Sequence, residues 1–155
     1  VRVVLQRVSR AAVHVAGETV GAISAGLVAF VGVAEGDSES DARRMAVKAA
    51  DLRIFPDEEG RFNLSLLEAG GEALVISQFT LHADTRRGRR PSFIAAARPD
   101  VAEPLVEAFA AALEDLGLRV ARGRFGAHMD VDVHNDGPVT IILDTTDLDR
   151  PRRQS

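Results

Sequence analysis

The sequence predicts a single α/β domain whose sheet is largely antiparallel and carries two main helices. Three observations predict it. The chain has 155 residues, the size of one ordinary domain, and its 46% hydrophobic content suffices for a real core. Apolar and polar residues alternate near both ends of the chain, as half-buried strands do. Two stretches in between carry apolar residues at helical spacing instead. The order strands, helix, strand, helix, strands, without internal repeat or linker, places them all in one domain.

The N-terminal residues "VRVVLQRVSRAAVHV" alternate over 1–8 and 11–16 and read as paired strands, with Ser9-Arg10 between them. Gly17-Glu18 is a turn. Strands follow at 19–23 and 26–33, the second apolar almost throughout and therefore expected to be buried on both faces. Asp37 or Ser38 caps a helix over 39–51, whose Ala42, Met45, Ala46, Ala49 and Leu52 fall on one side. "PDEEG" at 56–60 is a turn. Two glycines introduce a strand from Ala73 to Phe79, and an arginine-rich loop leaves it. A helix is expected over 99–116, with Val101, Leu105, Ala108, Phe109, Ala112 and Leu113 on its apolar side and Gly117 at its end. Strands at 118–124, 129–135 and 139–144 close the domain. Residues 147–155 form a polar tail expected to fray.

Bulk properties exclude several functions. The chain has no cysteine, so it holds no disulfide and no thiolate nucleophile, as expected in a reducing cytoplasm. The longest apolar run, "GLVAFVGVA" at 26–34, is too short to cross a bilayer as a helix, and the N-terminus lacks the apolar core of a signal peptide. The expected location is cytoplasmic, with no membrane partner. A net charge of −4 argues against wholesale coating of nucleic acid, yet Arg86, Arg87, Arg89 and Arg90 fall together and leave room for a local cationic face or a solvated loop. Seven Phe and no Trp or Tyr offer few stacking platforms for a general single-strand binder.

Familiar catalytic patterns are missing. There is no GxSxG elbow, no P-loop and no GxGxxG. His128, Asp130, Asp132 and His134 alternate along one strand face; that spacing fits a solvent-facing polar side at least as well as a metal site, and neither metal nor cofactor is expected. "SQFTL" at 77–81 brings Ser77, Gln78 and Thr80 to a strand exit, where backbone N–H groups lose their ladder partners. These residues either satisfy local backbone or face a ligand. Gly137-Pro138 stands between two strand-like runs, as a turn or as something more specific.

Three stretches together, "SQFTL" at 77–81, "GRRPSF" at 88–93 and "FGAHMDVDVHNDGPVT" at 125–140, with the opening "VRVVLQRVSRAAVHV", resemble the D-aminoacyl-tRNA deacylase family over residues 1–146. The resemblance implies a barrel-like homodimer that hydrolyses the ester joining a D-amino acid, and also glycine, to the 3′ end of tRNA. It implies that Gly137-Pro138 is held cis and inserted across the dimer interface, where fixed backbone refuses an L side chain. Arg7 is the residue it places as support for that motif. Ser77, Gln78, Phe79 and Thr80 then form the catalytic wall, acting mainly through backbone and positioning. Phe125, Gly126, Ala127 and Met129 are the candidates for the adenosine pocket, and Arg86, Arg87, Arg89 and Arg90 for phosphate contact.

Two mechanisms remain open at this level. Thr80 is a nucleophile if His82 serves as its base, which a continuing strand would allow. Otherwise backbone N–H groups near Phe79 and Thr80 hold the oxyanion while the substrate's ribose 2′-OH assists the water, the course the resemblance favours. A tRNA-binding module without hydrolysis is the alternative from another class.

Overall fold

The computed structural model describes residues 1–152. Strand β1 (Arg2–Val15) is continuous and forms the spine of the sheet. It pairs antiparallel with β2 (Glu18–Ile23), β3 (Gly26–Gly32) and the long β8 (Asp130–Asp144). From β3 the sheet continues in parallel through β6 (Glu72–Ser77) to β7 (Val120–Arg122). The sheet is therefore mixed, with antiparallel pairing on one side of β3 and parallel pairing on the other. It nearly closes, because β7 curls back to β2. Gly21 permits that approach: a Cβ there would lie 2.5 Å from the Arg122 carbonyl oxygen.

Between β3 and β6 runs α1 (Glu39–Asp51), followed by the short hairpin of β4 (Phe55–Pro56) and β5 (Phe62–Leu64). Ser38 is the cap: its hydroxyl accepts from the Asp41 amide, and the Asp41 carboxylate accepts from the Ser38 amide. Between β6 and β7 runs α2 (Pro99–Asp115), which opens with proline where a missing N–H does no harm. A single turn, α3 (Thr145–Leu148), follows β8.

Two apolar clusters use the two faces of the sheet. One lies under the helices, where Met45, Ala46, Phe109 and Leu113 pack on Leu5, Leu27, Ala29 and Val75. The other fills the concave face with Val13, Val28, Leu74 and Ile76. β3 feeds both, which is why it reads as apolar throughout. No helix among the described residues is long and apolar enough to cross a membrane.

Several expected boundaries move. The strands expected at 1–8 and 11–16 are one strand, and those expected at 129–135 and 139–144 are also one. Ser9-Arg10 is a bulge rather than a break: Val8 pairs with Asn135 and Arg10 with His134, so Ser9 is the extra residue. The strand expected to reach Phe79 stops at Ser77, and a 3-10 turn over Phe79–His82 takes over. Within the expected polar tail, Asp149 pairs with Arg44 at 2.7 Å, and Thr145 just before it is buried; residues 153–155 lie outside the described residues.

Candidate active site

A cavity of about 520 Å³ opens at the C-terminal ends of the parallel strands β3 and β6. Strand ends of this kind favour ligands because the next backbone groups have no ladder to join. Val31, Ile76, Ser77, Gln78 and Phe79 line one side, and Phe125, Gly126, Ala127 and Met129 the other. Ser77, Gln78 and Phe79 of the stretch nominated as catalytic wall thus share one cavity with the residues nominated for the adenosine pocket, while Thr80 is not in its lining. Phe93 joins them and meets the Phe79 ring edge-on, with centroids 5.2 Å apart. Phe93 was missed as a site residue although it ends the quoted "GRRPSF"; its position on a loop gave no periodicity to read.

The turn after β6 has a particular pattern of hydrogen bonds. The Gln78 amide donates to the Val31 carbonyl at 2.8 Å, and the Leu81 amide to Gln78 at 3.2 Å. Among the described residues no acceptor pairs with the Phe79 or Thr80 amide. These are the first N–H groups of the turn, left over once the β6 ladder ends. The Thr80 hydroxyl accepts from the Gln78 side-chain amide. His82 lies elsewhere: its Nε2 is 2.9 Å from the Gly32 carbonyl, to which it donates. In a 3-10 turn residues two apart do not share a face, so the strand geometry that would align His82 with Thr80 is absent.

A second cluster forms around Arg7. Its side chain is buried, which is unusual for arginine. Nη1 donates to the Ile54 carbonyl at 2.7 Å and Nε to the Asp136 carbonyl at 3.3 Å. The guanidinium also lies over the Phe62 ring, 5.3 Å from its centroid. Next to Asp136 stands Gly137-Pro138, with a cis peptide bond and both residues exposed. Gly137 has φ +128°, and a Cβ on it would come within 2.8 Å of a Val139 methyl and 3.3 Å of Arg7 Nη2. Arg7 therefore stands beside the motif. Asn135, not singled out from sequence, completes the cluster by donating from Nδ2 to the carbonyls of Arg7 and Val139.

The two clusters are apart within one chain. No residue of 134–140 lines the cavity. In register, Ser77 stands beside Val31 of β3 and Arg7 beside Leu27. Those four strand positions span about 13 Å at ~3.3 Å per residue.

The arginines at 86–90 occupy an exposed loop. Arg86 is tied to Asp84 by two side-chain hydrogen bonds of 2.9 and 2.8 Å. That pairing holds the Asp84 carboxyl well down, at about 2. Arg87, Arg89 and Arg90 have no ion pair among the described residues. Asp130, Asp132 and His134 project to solvent from β8, and Asp132 meets His14 at 3.0 Å.

A nearly closed barrel with an apolar cavity beside two unpaired amides defines a site able to hold a ring system and an acyl oxygen together. Comparison with known proteins carries this further. The sequence profile described as D-Tyr-tRNA(Tyr) deacylase matches residues 4–144, and the chain belongs to that family. It is 61% identical to the D-aminoacyl-tRNA deacylase of Roseiflexus sp. (strain RS-1) over 99% of each chain. The enzyme of the same description from Thermus aquaticus is 55% identical over 94% of this chain and 96% of its own. A solved structure described as a c-Myc DNA unwinding element binding protein superposes with TM-score 0.87 at 36% identity, covering 93% of this chain and 98% of that one. A probable eukaryotic D-amino acid tRNA deacylase, 20% identical with TM-score 0.79 over 92% of this chain and 97% of its own, shares the fold.

Proposed function

We propose that this protein hydrolyses the ester of D-aminoacyl-tRNA, and of glycyl-tRNA, and leaves L-aminoacyl-tRNA intact. The observation that carries the reading is the cavity that joins Ser77–Phe79 to Phe125–Met129 beside the unpaired amides of Phe79 and Thr80, in a chain of this family. The terminal adenine enters the apolar side, between Phe125 and Met129. The ester carbonyl is directed at the amides of Phe79 and Thr80. Charge that develops on its oxygen as water adds is then met by two fixed donors that need no reorganisation. The terminal ribose 2′-OH orients the attacking water. The tetrahedral intermediate collapses with the 3′-oxygen as leaving group, giving the free amino acid and tRNA.

Selection against L residues is assigned to Gly137-Pro138 of a second copy of the chain. The motif is exposed and remote from its own cavity, so a partner is the direct way to bring one to the other. The sheet offers a surface for that partner. Ile142, Val4, Phe30 and Ile76 stand in one row across four strands, from an Ile142 that is 69% exposed to an Ile76 in the cavity wall. A soft side-chain wall separates ligands by only ~1–3 kcal/mol, or about 10- to 200-fold. Rigid backbone where an L side chain would sit refuses it sterically and leaves D side chains unread. Glycine, having no side chain, passes the same filter. The proposed location is the cytoplasm, where aminoacyl-tRNA is used.

The deciding experiment is deacylation of D-Tyr-tRNA and L-Tyr-tRNA side by side with EDTA present. Rapid loss of the D ester alone is expected. Loss of both would remove Gly137-Pro138 as the filter. Loss of neither would favour a second reading, a nucleic-acid-binding module without hydrolysis, which rests on Arg87, Arg89 and Arg90, cations with no ion pair among the described residues.

A further inference from the structure

The pairing of β1 with β8 breaks at one place. Gln6 pairs with Thr140 and Val8 with Asn135, so residues 136–139 all lie opposite Arg7 alone. A loop of that size interrupts the ladder and withholds N–H donors from the carbonyls on either side of it, and Pro138 has no N–H to offer. Two of those carbonyls, of Arg7 and of Val139, are satisfied by one side chain. Asn135 Nδ2 lies 2.8 Å from the first and 3.0 Å from the second. A carboxamide carries two N–H donors on one nitrogen and can serve both, and facing two carbonyls fixes which end is nitrogen.

We infer that Asn135 is the positioning residue that sets the direction of the Gly137-Pro138 backbone, and that D-over-L selectivity depends on it. Its side chain joins the start of the segment to its end at Val139 and to β1 at Arg7. The Arg7 guanidinium holds the same segment from its other end of contact, through the Asp136 carbonyl at 3.3 Å. The arrangement is reciprocal: the Arg7 side chain grips residue 136 while the Arg7 main chain is gripped by residue 135. Between these grips Gly137 is packed against Val139 and Arg7 with no room for a Cβ. The segment can then swing only if Asn135 lets go. An aspartate has the same shape but no donor, and it would set a carboxylate against two carbonyl oxygens.

This inference rests on Gly137-Pro138 being the chiral filter, and its test separates the two. Asn135→Asp and Asn135→Ala are made in the full chain, the second because it removes the donors without adding charge. Each is assayed on D-Tyr-tRNA and L-Tyr-tRNA, and amide hydrogen exchange is followed at Asp136, Gly137 and Val139. Losing one to two net hydrogen bonds should speed exchange there by roughly tenfold or more while the amides of α1 and α2 are unchanged. The D-to-L ratio of kcat/KM should fall by a similar factor, through faster L hydrolysis, in variants that stay folded at the assay temperature. An unchanged ratio overturns the inference whatever the exchange rates, and so does unchanged exchange at the three amides. If the wild-type protein itself consumes both esters alike, the filter reading fails, and the exchange measurement still decides whether Asn135 fixes the segment.

Discussion

At Thr80 the structure separates two mechanisms that the sequence leaves open. A threonine hydroxyl attacks only when a base removes its proton, and the nearest histidine in sequence donates its Nε2 proton to the Gly32 carbonyl. The hydroxyl itself is engaged as an acceptor from Gln78. In the proposed mechanism Thr80 contributes its backbone N–H, which replacement by alanine leaves in place. Thr80→Ala should therefore keep D-Tyr-tRNA hydrolysis within about tenfold, the scale of a lost neutral hydrogen bond of ~0.5–1.5 kcal/mol. Substrate ending in 2′-deoxyadenosine should react roughly 10²- to 10⁴-fold more slowly, the range for a lost positioned proton-handling group. Single-turnover rates on both substrates check the pair. Collapse of activity in Thr80→Ala with the 2′-deoxy substrate still turned over would restore the nucleophile.

Among the elements, the loop after the 3-10 turn carries a prediction of its own. An antiparallel bridge from Asp84 to Ser92 closes it, so its arginines are displayed on a tied base. Asp84 holds Arg86 and stays ionised down to about pH 2. Because its pKa is lowered from 3.8, the pairing is fully present above that value and is lost only as pH falls through about 2. In any neutral assay Arg86 is thus already paired, whereas Arg87, Arg89 and Arg90 have no ion pair among the described residues. Replacing each of these three by Ala should lower the slope of log affinity for tRNA against log salt by about 0.7, and Arg86→Ala should change it least. Slopes unchanged from the wild type in all four variants would remove the loop from the RNA contact. Legibility of the elements follows the same division between regular and irregular backbone. Both helices were readable, and the cap of the first was narrowed to Asp37 or Ser38, because periodicity and capping are local. The continuity of β1 and β8 was not: Ser9 and residues 136–139 look like breaks in sequence, and only pairing across the sheet turns them into bulges. The β4–β5 hairpin, two and three residues long, was too short to leave a period. Arg7 was legible through family resemblance; Asn135 was not, because its two acceptors are created by the bulge itself.

For the whole molecule, the proposed filter calls for a second copy, because cavity and motif are apart within one chain. One chain supplies a pocket with no residue of 134–140 in its wall, and a Gly137-Pro138 that is exposed. The row Ile142, Val4, Phe30, Ile76 is placed to be covered if another copy brings its motif to the cavity mouth. Ile142→Glu tests this with little ambiguity. In a lone chain Ile142 is 69% exposed, so a glutamate there should alter the fold's stability by no more than about 0.5 kcal/mol. Across a close apolar contact between copies, the same change buries charges without partners and costs several kcal/mol, enough to shift association by orders of magnitude. The expected result is a folded monomer in sedimentation equilibrium at concentrations where the wild type is a dimer. Its discrimination should be largely lost, with L-Tyr-tRNA hydrolysed about as readily as D-Tyr-tRNA, although every residue of the cavity wall is intact. Since the amides of Phe79 and Thr80 stay in place, that loss would have to come from the partner's backbone. A variant that remains dimeric and active would move the interface to another face of the barrel, and a monomer that retains both activity and D selectivity would show that one chain suffices.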